Sequence, residues 1–254
     1  MAITIKSERE IELMAEAGKI LERVHNELEK ALRPGMSTKD IDTLGEEIIR
    51  SYGCIPSFLN YNGYPASICV SVNQEVVHGI PDKHRIIHEG DIVSLDAGVI
   101  YKGYHSDAAR THAVGEVSEE AKKLIQVTKE SFFEGIKFAK AGNHLFDISG
   151  AIGRYAEERG YGVVRDLCGH GIGTALHEAP EIPNYEVGRK GVRLRPGMTL
   201  AIEPMINIGT HEVDWLDDDW TVVTRDGSLS AHYENTILIT EGEPRILSLT
   251  CDNE

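Results

Sequence analysis

The chain has 254 residues, 41% hydrophobic and 26% charged, which suits a soluble globular protein of one large or two small domains that needs no disulfide staples. Its formal net charge of −15 repels nucleic acid overall and argues against DNA as a partner. No apolar run approaches the roughly 20 residues of a membrane span, MAITIKSEREIELMAEAGKI lacks a signal-peptide core, and the four scattered cysteines (Cys54, Cys69, Cys168, Cys251) form no C-x-x-C, so reduced thiols and a cytoplasmic location are expected.

Residues 7–32 carry Ile11, Met14, Ile20, Leu21, Val24 and Leu28 at mostly three-to-four spacing, which predicts a first helix ended by RPG at 33–35. Ser37 is placed to N-cap a second helix, with Ile41, Leu44 and Ile48 on one face and Gly53 closing it. EGDIVSLDAGV (89–99) reads as a strand, YKG (101–103) as a turn, and the residues after it as a second strand holding Asp107. Ser118 then caps a helix to about Lys140, which KAG (140–142) ends. A fourth helix follows with Ile148, Ile152 and Tyr155, closed by Gly160.

GHGIGTALHEAP (169–180) comes next, with His170 and His177 seven apart. This is not the i, i+4 pair of a helical H-E-x-x-H site, so metal ligands, catalytic bases and core histidines all stay open from spacing alone. GRKGVRLRPG (188–197) gathers Arg189, Lys190, Arg193 and Arg195, either as a solvated loop or as a docking patch. PGMTLAIEPMI (196–206) and AHYENTILIT (231–240) read as further strands, holding Glu203 and Glu234.

The second half repeats the first at a constant offset of 107: Gly35 with Gly142, Asp40-Ile41 with Asp147-Ile148, Gly53 with Gly160, Gly90 with Gly197, and Asp96 with Glu203. Two halves, roughly 7–114 and 115–245, related by a pseudo-two-fold axis and sharing one sheet, make an α+β protein. Glu234 matches Asp107 if 20 residues are inserted in the second hairpin, for which the segment 209–227 is the natural place.

Asp96 and Glu203 interrupt apolar strands, where carboxylates are rarely buried unless paired or bound to metal. A two-residue turn at Lys102-Gly103 sets Gly98 opposite Asp107 and puts Asp96 diagonally beside Asp107 on one face. The repeat adds Glu203 and Glu234. Four such charges in one pocket call for divalent cations, with His170 adding a neutral nitrogen. Two ions sharing bridging carboxylates fit five donors, and an oxygen-rich set with one imidazole suits Mn, Fe, Co or Zn.

Asp96, Asp107, His170, Glu203 and Glu234, in the settings SLDAGV, HSDAAR, GHGIG, AIEPM and HYENTILIT, closely resemble the type I methionine aminopeptidases, the short bacterial form of the pita-bread metallopeptidases of family M24. YNGYPASICVSVNQEVVHGIP (61–81) extends the likeness over nearly the whole chain. The resemblance implies a pita-bread fold, with pseudo-two-fold halves, a central antiparallel sheet and outer helices, in a single catalytic domain over 1–254. It implies removal of N-terminal methionine from new polypeptides when the second residue is small, by attack of a metal-bridging water on the scissile amide.

The same resemblance implies the roles. Asp96 and Asp107 chelate one divalent ion. Asp107, His170, Glu203 and Glu234 hold the other, with Asp107 and Glu234 bridging. Glu203 is also the general base, while His78 and His177 are substrate-contacting histidines that hold no metal. Phe58, Tyr61, Tyr64, Cys69 and Trp220 line the methionine pocket; Phe58 stands where a smaller residue is common, and Leu176 where phenylalanine is. Asn73 and Ser230 hold a monovalent cation through backbone carbonyls in some relatives. The partners implied are nascent N-termini, with a monomer, no membrane, and the ribosome as the candidate for the basic loop. A proline-directed peptidase of the prolidase or aminopeptidase P type shares fold and ligands, but usually has a large extra N-terminal domain. A non-catalytic binding homologue would lack ligands.

Overall fold

The fold is taken from a computed structural model and is described for residues 2–249; Met1 and residues 250–254, with Cys251, lie outside the described residues. Two helix pairs cover antiparallel strands. Helices α1 (Glu8–Ala31) and α2 (Thr38–Ser51) pack on the strands Ile68–Val72, Ile92–Tyr101 and Tyr104–Ala113, burying Leu21, Val24, Ile41 and Ile49 against Ile68, Leu95 and Val99. Helices α3 (Glu119–Ile136) and α4 (Leu145–Glu157) serve the second half, where Phe132, Ile148 and Ile152 meet Leu200, Ile202 and Ile237.

The helix starts follow from their caps. Ser7 caps the Glu10 amide while the Glu10 carboxylate accepts from the Ser7 amide at 2.7 Å; Ser37 and Asp40 repeat the exchange at 3.1 and 2.8 Å. Ser118 caps α3 through Ala121. That helix stops at Ile136, short of the Lys140 expected. The bonds Phe138 N→Gly135 O and Ala139 N→Ile136 O tighten the chain into i→i+3 turns and bury Ala139.

The 107-residue repeat is written into the backbone hydrogen bonds. Gly35 N→Ile87 O has its counterpart in Gly142 N→Leu194 O, Thr38 N→Arg85 O in Leu145 N→Val192 O, and Ile87 N→Met36 O in Leu194 N→Asn143 O. The turn at Lys102 and Gly103 has φ of 49° and 85°, as a two-residue primed turn requires, and Gly98 faces Asp107.

The second hairpin corrects one expectation. Its opposed residues total 437, against 205 in the first, so Glu203 lies opposite Glu234. An offset of 107 on the outgoing strands then leaves 125 on the returning ones, and the insertion is 125 − 107 = 18 residues, not 20. Gly90 N→Val114 O and Gly197 N→Ile239 O keep the same offsets. The register counterpart of Glu234 is therefore Ala109, not Asp107. Ala109 and Glu234 bond each other's backbones (3.4 and 3.0 Å) where the halves meet. The first acid pair is diagonal and the second directly opposed.

Among the described residues the strands also fall into four separate antiparallel sheets rather than one continuous sheet. Between Thr199–Ile202 and Met205–Asn207 stands Pro204, which has no N–H to continue the ladder. Residues 209–227 fold back as the strands Val213–Trp215 and Val222–Thr224, the latter paired with Glu75–Val77.

Candidate active site

Every residue singled out from the sequence for the site lines one cleft of about 390 Å³, together with Leu176. Asp96 and Asp107 arrive on the first hairpin, Glu203 and Glu234 on the second. His170 comes from the strand Gly169–Gly171, wedged between Glu178–Ile182 and Thr199–Ile202. A Cβ at 169 would lie 2.4 Å from the Ala201 carbonyl oxygen, and one at 171 would lie 2.2 Å from that of Ala179. Only glycines beside His170 let this strand sit so close.

Asp107, His170 and Glu234 offer ligand atoms within 4.8 Å of one another. His170 Nε2 stands 3.8 Å from Asp107 Oδ2 and 3.6 Å from Glu203 Oε1. Its Nδ1–H donates to the Gly171 carbonyl at 2.9 Å, which leaves the lone pair on Nε2, facing the carboxylates. An imidazole with its far N–H held by a carbonyl is the usual arrangement of a metal-ligating histidine. Asp96 Oδ1, Asp107 Oδ1 and Glu234 Oε1 are buried without a hydrogen-bond partner. Among the described residues no lysine or arginine forms an ion pair with any of the four acids.

Burial pushes Asp96 up to about 8. Burial, with the charges of Asp96 and Glu203, holds Asp107 well above the ordinary carboxylate range. Glu203 and Glu234 are raised for the same reasons, burial first. Burial also drops His170 to about 3, so its nitrogen stays neutral. Acids this costly to ionise together, with oxygens left unbonded, fit divalent cations.

The rest of the cleft surrounds this set. The His177 ring lies 4.1 Å from that of His170, and His177 Nδ1 is 2.8 Å from the Tyr61 hydroxyl. His78 has φ of 59°, a left-handed conformation uncommon outside glycine, and its ring meets Trp220 edge-on at 6.3 Å. Trp220 comes from the inserted segment and packs on Tyr64 at 5.1 Å; the Tyr64 hydroxyl donates to the Gly79 carbonyl at 2.9 Å. Burial pushes the Cys69 thiol well above its ordinary value, so it lines the pocket uncharged. Phe58 and Leu176 pack in one apolar cluster with Tyr64 and Cys69. Asn73 and Ser230 lie together, the Asn73 carbonyl accepting from the Ser230 amide at 2.9 Å.

Sequence reasoning missed three residues here. Asn62 lines the cleft. His232 is buried, with Nε2 3.7 Å from Glu203 Oε2; its spacing of two from Glu234 in a strand was a usable signal. Lys6 reaches the His177 loop from the N-terminal segment.

Buried carboxylates and an imidazole around a cleft make the donor set of a metal-dependent hydrolase. Residues 12–241 match the family model for metallopeptidase family M24. A methionine aminopeptidase of Clostridium acetobutylicum is 58% identical over 97% of this chain and 99% of its own. The crystal structure of a methionine aminopeptidase from Thermotoga maritima superposes with a TM-score of 0.96 at 47% identity, over 98% of this chain and all of that one. An Xaa-Pro dipeptidase from Bacillus anthracis gives 0.77 at 27% identity, and this chain covers 63% of it. The chain belongs to metallopeptidase family M24. It has the pita-bread fold and is a hydrolase that works with divalent metal.

Proposed function

We propose that this chain removes N-terminal methionine from new polypeptides whose second residue is small, acting as a single catalytic unit and as a monomer in the cytoplasm. The observation that carries the reading is the convergence of five donors from distant strands in one buried cleft, beside an aromatic pocket. The proline-directed reading is disfavoured, because identity is 58% and 47% to the methionine aminopeptidases but 27% to the Xaa-Pro dipeptidase.

Asp96, Asp107, His170, Glu203 and Glu234 would hold two divalent ions, with Asp107 and Glu234 shared. Bound there, the metal supplies Lewis acidity, making water acidic and polarising the scissile carbonyl. Glu203, with its side chain 14% exposed, takes the proton of the attacking water and hands it to the leaving amine. His177, held by Tyr61, donates to the oxygen that gains charge. His78 contacts the scissile nitrogen. Tyr61, Tyr64, Phe58, Cys69 and Trp220 take the methionine side chain.

On this reading Met-Gly, Met-Ala and Met-Ser peptides are cleaved, and Met-Leu or Met-Lys at least about tenfold more slowly, because a bulky second residue crowds the cleft. Chromatographic rates on Met-Ala-Ser, Met-Leu-Ser and Ala-Pro-Ser test it. Efficient cleavage of Met-Leu-Ser or Ala-Pro-Ser would count against it.

We also propose that the basic loop is a docking patch for ribosomal RNA. Arg189, Lys190, Arg193 and Arg195 are gathered on one loop of an otherwise acidic chain, and Arg189, Lys190 and Arg193 are exposed there. Neutralising those three together should weaken ribosome binding and flatten its salt dependence, by a slope of about one for each phosphate no longer neutralised. Tripeptide cleavage should be untouched. Ribosome affinity unmoved by the triple change would end the idea.

A further inference from the structure

The turn that presents His177 is largely exposed at Thr174, Ala175 and His177, and the residue after His177 ties it to the N-terminal segment. Glu178, the next residue, turns inward with its side chain 13% exposed. Lys6 Nζ lies 2.6 Å from Glu178 Oε2, with the lysine side chain only 5% exposed. The Thr4 hydroxyl donates to the same oxygen at 2.6 Å, and the Ala175 amide donates to Oε1 at 3.3 Å. Burial pushes the Glu178 carboxyl up, but the bonds from Lys6 and Thr4 outweigh it and hold the group below its ordinary value.

Both ends of this contact are themselves fixed. The Lys6 amide donates to the Gly197 carbonyl at 2.8 Å. On the other side the His105 amide donates to the Gly173 carbonyl at 2.8 Å, and the Gly173 amide to that of Ala175 at 3.1 Å. A Cβ at Gly173 would lie 2.7 Å from Lys6 Nζ and 2.5 Å from Glu178 Oε1, so any side chain there would displace the ammonium from the carboxylate.

Two buried charges cost desolvation and contribute little net stability, so an apolar pair would hold the segment as well. What charged hydrogen bonds add is direction. Here the direction fixes the residue next to His177, whose ring stands 4.1 Å from His170.

We propose that Lys6 is a positioning residue for the reaction, fixing through Glu178 the turn 173–178 that presents His177 to the scissile carbonyl. The inference rests on the proposed role of His177.

The test uses the full-length, metal-loaded enzyme and the tripeptide Met-Ala-Ser. Lys6→Met should lower kcat about 10- to 100-fold, because small misplacement of a reacting group has effects of that size. KM should stay within about twofold and metal content at the wild-type level. Lys6→Arg should restore most of kcat. In a His177→Ala background Lys6→Met should change kcat by less than about twofold, since the group it positions is gone. A purely structural role would not produce that loss of additivity. If Lys6→Met does not fold, Glu178→Gln examines the same pair from the other side, and kcat should again fall with metal retained.

A normal kcat in Lys6→Met beside a slow His177→Ala overturns the inference alone. So does a full Lys6→Met effect that persists without His177, or a normal kcat in Glu178→Gln. A His177→Ala enzyme with full kcat overturns the reading beneath it as well.

Discussion

Asp107→Ala loses turnover and at least one tightly bound metal equivalent. Asp107 is one of the two carboxylates that the proposed ions share. Its Oδ2 is 3.8 Å from His170 Nε2, its ligand atom lies within 4.8 Å of that of Glu234, and its Oδ1 is buried with no partner. Without it, one proposed ion keeps only Asp96 and the shared Glu234. Altering even a group that only supports a ligand typically costs 10- to 100-fold in affinity or activity, so removing a shared ligand should exceed about 10²-fold. The fold should survive, because Asp107 meets Thr236 through backbone atoms, its amide donating to the threonine hydroxyl at 2.9 Å and its carbonyl accepting from it at 3.0 Å. Elemental analysis after gel filtration, with tripeptide kinetics, decides the matter. Normal stoichiometry with normal turnover would remove Asp107 from the site.

The second large effect separates the two histidines of GHGIGTALHEAP. His177→Ala should keep its metal, because His177 stands at the cleft mouth with Nδ1 on the Tyr61 hydroxyl rather than on the acids. It should lose a donor to the developing oxyanion, which typically costs on the order of 10²–10³ in rate. Because that contact strengthens only in the transition state, kcat and kcat/KM should fall together, with KM little changed. His170→Ala should fall as far in rate and lose metal too, since its neutral Nε2 faces Asp107 and Glu203. Metal content and both kinetic constants on both variants are the measurement. Metal loss from His177→Ala, or full kcat in it, would show that the roles are misassigned.

Much of this site is legible without coordinates because two periodicities are rigid. A strand alternates faces every residue, so a two-residue turn at Lys102-Gly103 determines that Asp96 and Asp107 share a face. Helix starts are local as well: Ser37 and Ser118 cap the helices they precede directly. The 107-residue offset is visible because glycines and caps recur where the backbone makes the same turns twice. Local reading weakens where packing chooses among near-equal options. The end of α3 moved from Lys140 to Ile136, since tight turns there bury Ala139.

The sequence by itself determined the α+β class, the repeat, the first hairpin's register and the acids out of place in apolar strands, because each depends on neighbours a few residues apart or on a simple period. Only the tertiary structure decided that Glu234 pairs with Ala109 across the two halves, that His232 stands behind Glu203, and that Lys6 reaches Glu178 over 172 residues of chain. Contacts between distant segments are set by how the two halves close on each other, and no local pattern of side chains records that closure.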